Sequence, residues 1–100
     1  MEDYKRESFY GDDDFKDYEF IDEEGTFECD YVGRWMNKDE NLVCCFDFDD
    51  GRKVRSMAWQ NNGYYKLEQI PLGSRLRLEF KKSNTGKNYL RKVVILGGEN

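Results

Sequence analysis

LVCCFDFDDGRKVRSMAW, residues 42–59, is the stretch on which the reading of the whole chain turns. Leu42, Cys44, Phe46 and Phe48 alternate with Val43, Cys45, Asp47 and Asp49, the period of two of a half-buried strand. Asp-Asp-Gly-Arg then signals a turn, beyond which Val54, Ser56 and Ala58 alternate with Lys53, Arg55, Met57 and Trp59. A three-residue loop, Asp50-Gly51-Arg52, sets Phe48 opposite Val54, Phe46 opposite Ser56 and Cys44 opposite Ala58, which makes one apolar face. The other face then pairs Asp49 with Lys53, Asp47 with Arg55, Cys45 with Met57 and Val43 with Trp59. A two-residue Asp50-Gly51 turn would set Phe46 opposite Arg55 and mix the faces, so the odd loop is expected, with a bulge as the alternative. Even-numbered side chains from 42 to 58 therefore point inward, and odd-numbered ones, Trp59 included, point toward water or a ligand.

Upstream, NKDEN (37–41) is a connection, and TFECDYVGRWM (26–36) reads as a long strand. It places Phe27, Cys29, Tyr31, Gly33 and Trp35 on one parity and Glu28, Asp30, Val32, Arg34 and Met36 on the other. A glycine midway through such a strand marks a bulge or a sharp bend, where a small barrel turns its first strand from one sheet into the other. Asp22-Glu23-Glu24-Gly25 reads as a turn. FKDYEFI, residues 15–21, reads as a lead-in that packs on the domain as an added strand or short helix, or else as part of a tail whose aromatics grip something else. Residues 1–14 lack any apolar period and read as disordered, so that residues 1–24 together make an acidic, largely disordered tail.

Downstream, Asn61-Asn62-Gly63 and Pro71 with Gly73 signal turns, and residues 64–70 between them form at most a single helical turn or a cover for one end of a barrel. SRLRLEF (74–80) alternates cleanly, with Leu76, Leu78 and Phe80 inward and Arg75, Arg77 and Glu79 outward. KKSNTGKN (81–88) is a basic loop of hairpin length, and NYLRKVVIL (88–96) is the last strand, ending in a GGEN expected to fray. Val93-Val94-Ile95-Leu96 is apolar on both parities, the pattern of a strand covered on both sides.

Composition narrows the function. Hydrophobic residues are 38% of the 100 and charged residues 37%, so one small core must rely on the 16% that are aromatic. The net charge of −5 conceals a bipolar chain: residues 1–25 hold 11 acidic and 3 basic side chains, residues 51–100 hold 3 acidic and 11 basic. No run approaches the ~20 apolar residues of a spanning helix, and the acidic start lacks the apolar centre of a signal peptide, so a cytoplasmic chain is expected, without membrane partners. The three cysteines include the neighbours Cys44 and Cys45, which offer no disulfide framework. With no histidine and no Cys-x-x-Cys, neither a zinc site nor a Ser/His or Cys/His nucleophile is expected, and no phosphate-binding glycine loop has the right spacing. The chain reads as all-β, without cofactor or metal, and as no enzyme.

Five strands, a mid-strand glycine in the first, a tight hairpin joining the second and third, an irregular connection, then a basic loop joining the fourth and fifth: this order resembles the OB-fold. FDFDDGRKVRSMAW resembles the second hairpin of the small bacterial translation-initiation-factor OB domain, and IPLGSRLRLEF with YLRKVVIL resembles the final hairpin of that domain and of cold-shock domains. The likeness covers residues 25–97 and implies a five-stranded Greek-key barrel after the acidic tail; an SH3-like barrel is the alternative. The paired aromatic RNA-binding motifs of cold-shock domains are absent, and the helix before the fourth strand is short or missing.

The resemblance also implies where a ligand would cross: the outer face of the second and third strands, flanked by the loops between strands one and two and between four and five. That face would show Lys53, Arg55, Met57 and Trp59, with Trp35 or Arg34 beside them according to the Gly33 bend, and the basic loop would add Lys81, Lys82, Lys87, Tyr89 and Arg91. An exposed Trp among cations suits single-stranded DNA or RNA, since each stacked base contributes ~1–3 kcal/mol and the cations track the phosphates. Both tryptophans could instead be ordinary barrel residues, and Asp47 and Asp49 weaken any phosphate path along the hairpin. The rival expectation is an OB-type protein-interaction module that uses the barrel face or the acidic-aromatic tail. The tail itself could lie over the basic half as a nucleic-acid mimic, dock a protein partner, or only solubilise. An exposed Val43, Cys45, Met57 and Trp59 strip could also serve as a dimer interface.

Overall fold

A computed structural model describes residues 7–8, 15–39, 41–58 and 64–97 of the chain. The alternation of residues 42–58 is realised as two strands, β4 (Leu42–Phe48) and β5 (Lys53–Ala58), in an antiparallel hairpin. The loop has three residues, but they are Asp49, Asp50 and Gly51, one position earlier than expected. Gly51 N–H donates to Phe48 O (3.0 Å) and Phe48 N–H to Arg52 O (2.9 Å), while Gly51 takes φ +97°, the left-handed conformation that closes this kind of loop. The register therefore slides by two: Phe46 faces Val54, Cys44 faces Ser56 and Leu42 faces Ala58, and across the other face Asp47 meets Lys53, Cys45 meets Arg55 and Val43 meets Met57. A slide of two preserves parity, so Leu42, Cys44, Phe46, Phe48, Val54 and Ser56 are all buried.

The other elements, in chain order, are β1 (Glu7–Ser8), β2 (Glu19–Phe20), β3 (Gly25–Met36), a short helix α1 (Tyr64–Gln69), β6 (Arg75–Lys82) and β7 (Asn88–Gly97). One sheet runs β2-β5-β4-β3-β6-β7, with β1 paired to β3. Among the described residues the protein is thus all-β apart from one six-residue helix. No ladder joins β7 to β5 among the described residues, so hydrogen bonding leaves the ring open; β2 lies instead along the outer edge of β5, parallel to it.

β3 is the strand on which the others converge. Residues 25–30 pair with β6 and residues 29–36 with β4, while Gly33 and Arg34 also face β1. The expected irregularity occurs at the step from Tyr31 to Gly33, where the register against β4 shifts. Its effect is to exchange the faces: Phe27, Cys29 and Tyr31 point into the core before it, and Met36 packs on that core after it. Val32 and Trp35 join a second cluster outside, with Phe15, Tyr18 and Cys45.

The main core combines Leu76, Leu78 and Phe80 of β6 with Leu90 and Val93 of β7, the hairpin's inner face, and Leu67 and Ile70 from α1 and its exit. Tyr31 stacks on Phe46 at 5.4 Å and Phe27 on Phe48 at 4.9 Å, which is how an aromatic-rich chain fills a small core. The apolar run ending β7 is not covered on both sides: Val93 is buried, but Ile95 and Leu96 are 53% and 41% exposed. The Asn61–Gly63 turn, most of the segment expected to be disordered and the final Gly98–Asn100 lie outside the described residues.

Candidate nucleic-acid interface

The outer face of β3, β4 and β5 is where the bipolar charge of the chain meets itself. Residues 15–20, from the acidic extension, lie across it. Phe15 is 2% exposed and its ring rests on Gly33, where a Cβ would come within 2.3 Å of the ring. The mid-strand glycine thus admits an aromatic ring as well as a bulge. Beyond Phe15, Trp35 sits 5.9 Å away ring to ring, and Tyr18 packs edge-on at 5.1 Å. Tyr18 is 1% exposed; its hydroxyl donates to Asp47, and the Lys53 ammonium lies 5.4 Å from its ring centre. Phe20 ends the crossing with the Arg55 guanidinium 4.7 Å above its ring. This cover buries Cys45 (0%), which the sequence reading had left facing water or ligand; Val43, likewise read as outward and open, is also buried (4%).

The residues expected to form the ligand surface are therefore divided. Trp35, Lys53, Arg55 and Met57 do share the outer face, the first three beneath or beside the residues 15–20 crossing. Arg34 is not among them. The exchange of faces at the bulge carries it inside, where its Nη1 donates to Leu67 O (2.9 Å) and Ile70 O (2.6 Å) at the end of α1. A cation there completes carbonyls that a helix terminus leaves unpaired. Tyr31 hydroxyl donates to the same Leu67 oxygen at 2.9 Å, so the Cys44 thiol, 3.5 Å away, is the donor in their contact. Trp59 lies outside the described residues.

On the β6–β7 hairpin, Lys82 is committed to the acidic extension: Nζ reaches Asp22 at 2.9 Å and its backbone N–H donates to Glu24 at 2.7 Å. Arg91 pairs with Glu79 at 2.8 Å, and Tyr89 is half-buried opposite Lys81. Lys81 and Lys87 are exposed and carry no ion pair among the described residues. Elsewhere the arginines are also matched. Arg77 meets Glu28 across the β3–β6 ladder at 3.0 Å, and Arg75 forks onto Asp49 at 2.7 and 2.8 Å while reaching Asp30 at 3.0 Å. That fork holds the Asp49 carboxyl below its usual range, and the Arg52 guanidinium does the same for Asp50.

Between β5, β2 and the β6–β7 loop lies a groove of about 490 Å³, its walls including Phe20, Arg55, Met57, Lys87 and Asn88. Arg55 Nε and Asn88 Oδ1, from two of the residues that line it, are buried without a hydrogen-bond partner among the described residues. No cluster of three metal-ligating side chains occurs among the described residues, and none of their helices is long and apolar enough to cross a membrane. Sequence reasoning missed Phe15, Tyr18, Phe20 and Asn88 as parts of this surface; the spaced aromatics of DFKDYEF in an otherwise acidic run were the available signal. No protein-family model, no curated protein and no solved structure matches the chain.

Proposed function

We propose that the chain binds single-stranded DNA or RNA without catalysis, through the outer face of β4 and β5 and the β6–β7 loop, on an OB-type barrel. The order β5-β4-β3-β6-β7 of the long strands, with a short helix between β5 and β6, supports the barrel reading. The observation that carries the functional reading is the open groove beside β5. It sets a thioether, Met57, and two cations, Arg55 and Lys87, around an open space of about 490 Å³ whose other wall is Phe20 and Asp22 of the acidic segment, with Lys81 unneutralised on the same hairpin. Lys87 suits a phosphate, while the Arg55 guanidinium, which already lies over the Phe20 ring, and Met57 suit bases.

A fluorescent oligothymidylate titrated with the full chain tests this. Binding is expected at low salt, weakening as salt rises with a log–log slope of about 0.7 per phosphate contacted. Lys81→Glu with Lys87→Glu should flatten that slope by about 1.4, while leaving the fold intact because both side chains are exposed. No binding to DNA or RNA at low salt would refute the reading.

A second reading has its own observation. β5 already accepts an extended acidic-aromatic segment, β2, along its edge in parallel register, Glu19 beside Val54 and Phe20 beside Arg55. A protein-interaction module that takes up a partner's strand at that edge uses the same geometry. Saturable binding of an acidic-aromatic peptide together with silence toward oligonucleotides would favour it.

A further inference from the structure

The groups that residues 15–24 bring to the sheet have the two chemistries of a short nucleic-acid strand, planar rings and negative charge. Three aromatic rings come first, at Phe15, Tyr18 and Phe20, and each lands on a different feature of the outer face. Phe15 occupies the bare backbone at Gly33 beside Trp35, Tyr18 lies against Lys53, and Phe20 lies under Arg55. Carboxylates follow: Asp22 meets the Lys82 ammonium, Glu24 accepts from the Lys82 backbone N–H, and Glu23 meets Arg52 at 2.7 Å. Rings set on cations and carboxylates set on cations are the two contacts by which a single strand is held, base by stacking and phosphate by charge.

We infer that residues 15–24 are an intramolecular mimic of a short single strand, marking three base positions at Gly33/Trp35, Lys53 and Arg55 and a phosphate position at Lys82, and that a nucleic acid binds by displacing them. The inference rests on the binding proposed above and assigns that site its subsites and its built-in competitor. It accounts for two features together. The glycine at position 33 leaves room for a planar ring against the strand, which any other side chain would fill. The open groove beside Phe20 leaves a place where an incoming strand can start while the rest of the segment is still docked, since Phe20 is the exposed ring of the three, at 53%.

Oligothymidylate affinity of the full chain and of three full-length variants tests the inference. Asp22→Asn with Glu24→Gln removes the carboxylates that meet Lys82, at exposed positions; Phe20→Ala removes the exposed ring; Phe15→Ala removes the ring that covers Gly33. Freed from a tethered competitor docking at about 0.1 mM against an effective concentration of order 1 mM, each variant should bind up to about tenfold more tightly. In parallel, added oligonucleotide should speed tryptic cleavage after Lys16, which lies in the segment and is exposed, as read by mass spectrometry. Binding of wild type with unchanged or weakened affinity in the Asp22/Glu24 and Phe20 variants, and unchanged cleavage after Lys16, would overturn the mimic while leaving the binding reading standing. Absence of binding in wild type and in every variant would overturn both.

Discussion

Replacing Arg34 by Met tests how the open end of the sheet is held against α1. Arg34 is 8% exposed, so its guanidinium has given up nearly all its water for two carbonyl oxygens, at 2.9 and 2.6 Å. Hydrogen bonds to a charged donor contribute about 1.5–3 kcal/mol each, and part of that is offset because Met has no charge to desolvate. After the substitution Leu67 O keeps the Tyr31 hydroxyl, but Ile70 O loses its only described side-chain donor, which costs about 1–3 kcal/mol if it stays buried. The net expectation is a loss of about 2–3 kcal/mol. With a urea m-value of about 1.5 kcal/mol/M for a chain of this size, the unfolding midpoint followed by circular dichroism should fall by about 1.3–2 M. Arg34→Lys, which keeps the charge but not the planar fork, should fall between. Amide exchange at Leu67–Ile70 should quicken more than exchange in the β4–β5 hairpin. A midpoint shift below about 0.3 M, or exchange that quickens evenly over the molecule, would refute the assignment of Arg34 as the tie between sheet and helix.

Burial of the thiols and pairing of the turn carboxylates give two further expectations. All three cysteines are free and buried, and burial pushes the Cys44 thiol from an ordinary 9.0 up to about 12 and raises Cys29 as well. Native protein at pH 8 should react with an aromatic disulfide reagent only as fast as it opens, and all three thiols should react at once in urea. Because the native thiol holds its proton longer than the unfolded one, stability should be complete below about pH 9 and fall between about pH 9 and 12. At the acid end, Asp49 is depressed by Arg75, so its share of stability is present above the ordinary carboxylate pKa and is lost as pH falls through its lower native value. Side-chain NMR titration should show Asp49 protonating below the ordinary range in wild type and returning to it in Arg75→Gln.

Parity in the hairpin was legible because burial of one face constrains it: no shift of one residue could keep Phe46, Phe48 and Val54 together. The loop position was legible in principle, since a three-residue loop wants its glycine last, where φ is positive, and Gly51 is last only if the loop is Asp49-Asp50-Gly51. Counting from Arg52 missed that rule. Arg34 was beyond reach, because a bulge at one of two adjacent residues decides which face it joins and the sequence around Gly33 permits either. The cover over Cys45 was half legible. Phe15, Tyr18 and Phe20 could be read as residues that pack on the domain, but the place they pack on is set by Gly33 and Trp35, thirteen or more positions later. The exposure of Ile95 and Leu96 reflects the end of the sheet, which periodicity within one strand does not encode.

The central position of β3 has a kinetic consequence. Its pairing with β6 joins Asp30 to Arg75, 45 residues apart, whereas β4–β5 and β6–β7 are local hairpins. Non-local pairing of this kind is the slow step in assembling sheets, so the two hairpins should mature ahead of the strand that unites them. During synthesis the segment at residues 15–24 leaves the ribosome early, yet its landing places at Arg55, Lys82 and Asn88 follow up to about 70 residues later, roughly 4–14 s at ordinary elongation rates of about 5–20 residues per second. For that interval its rings are open to chaperones, proteases and any cationic partner nearby, and its final docking waits on strands that are made after it.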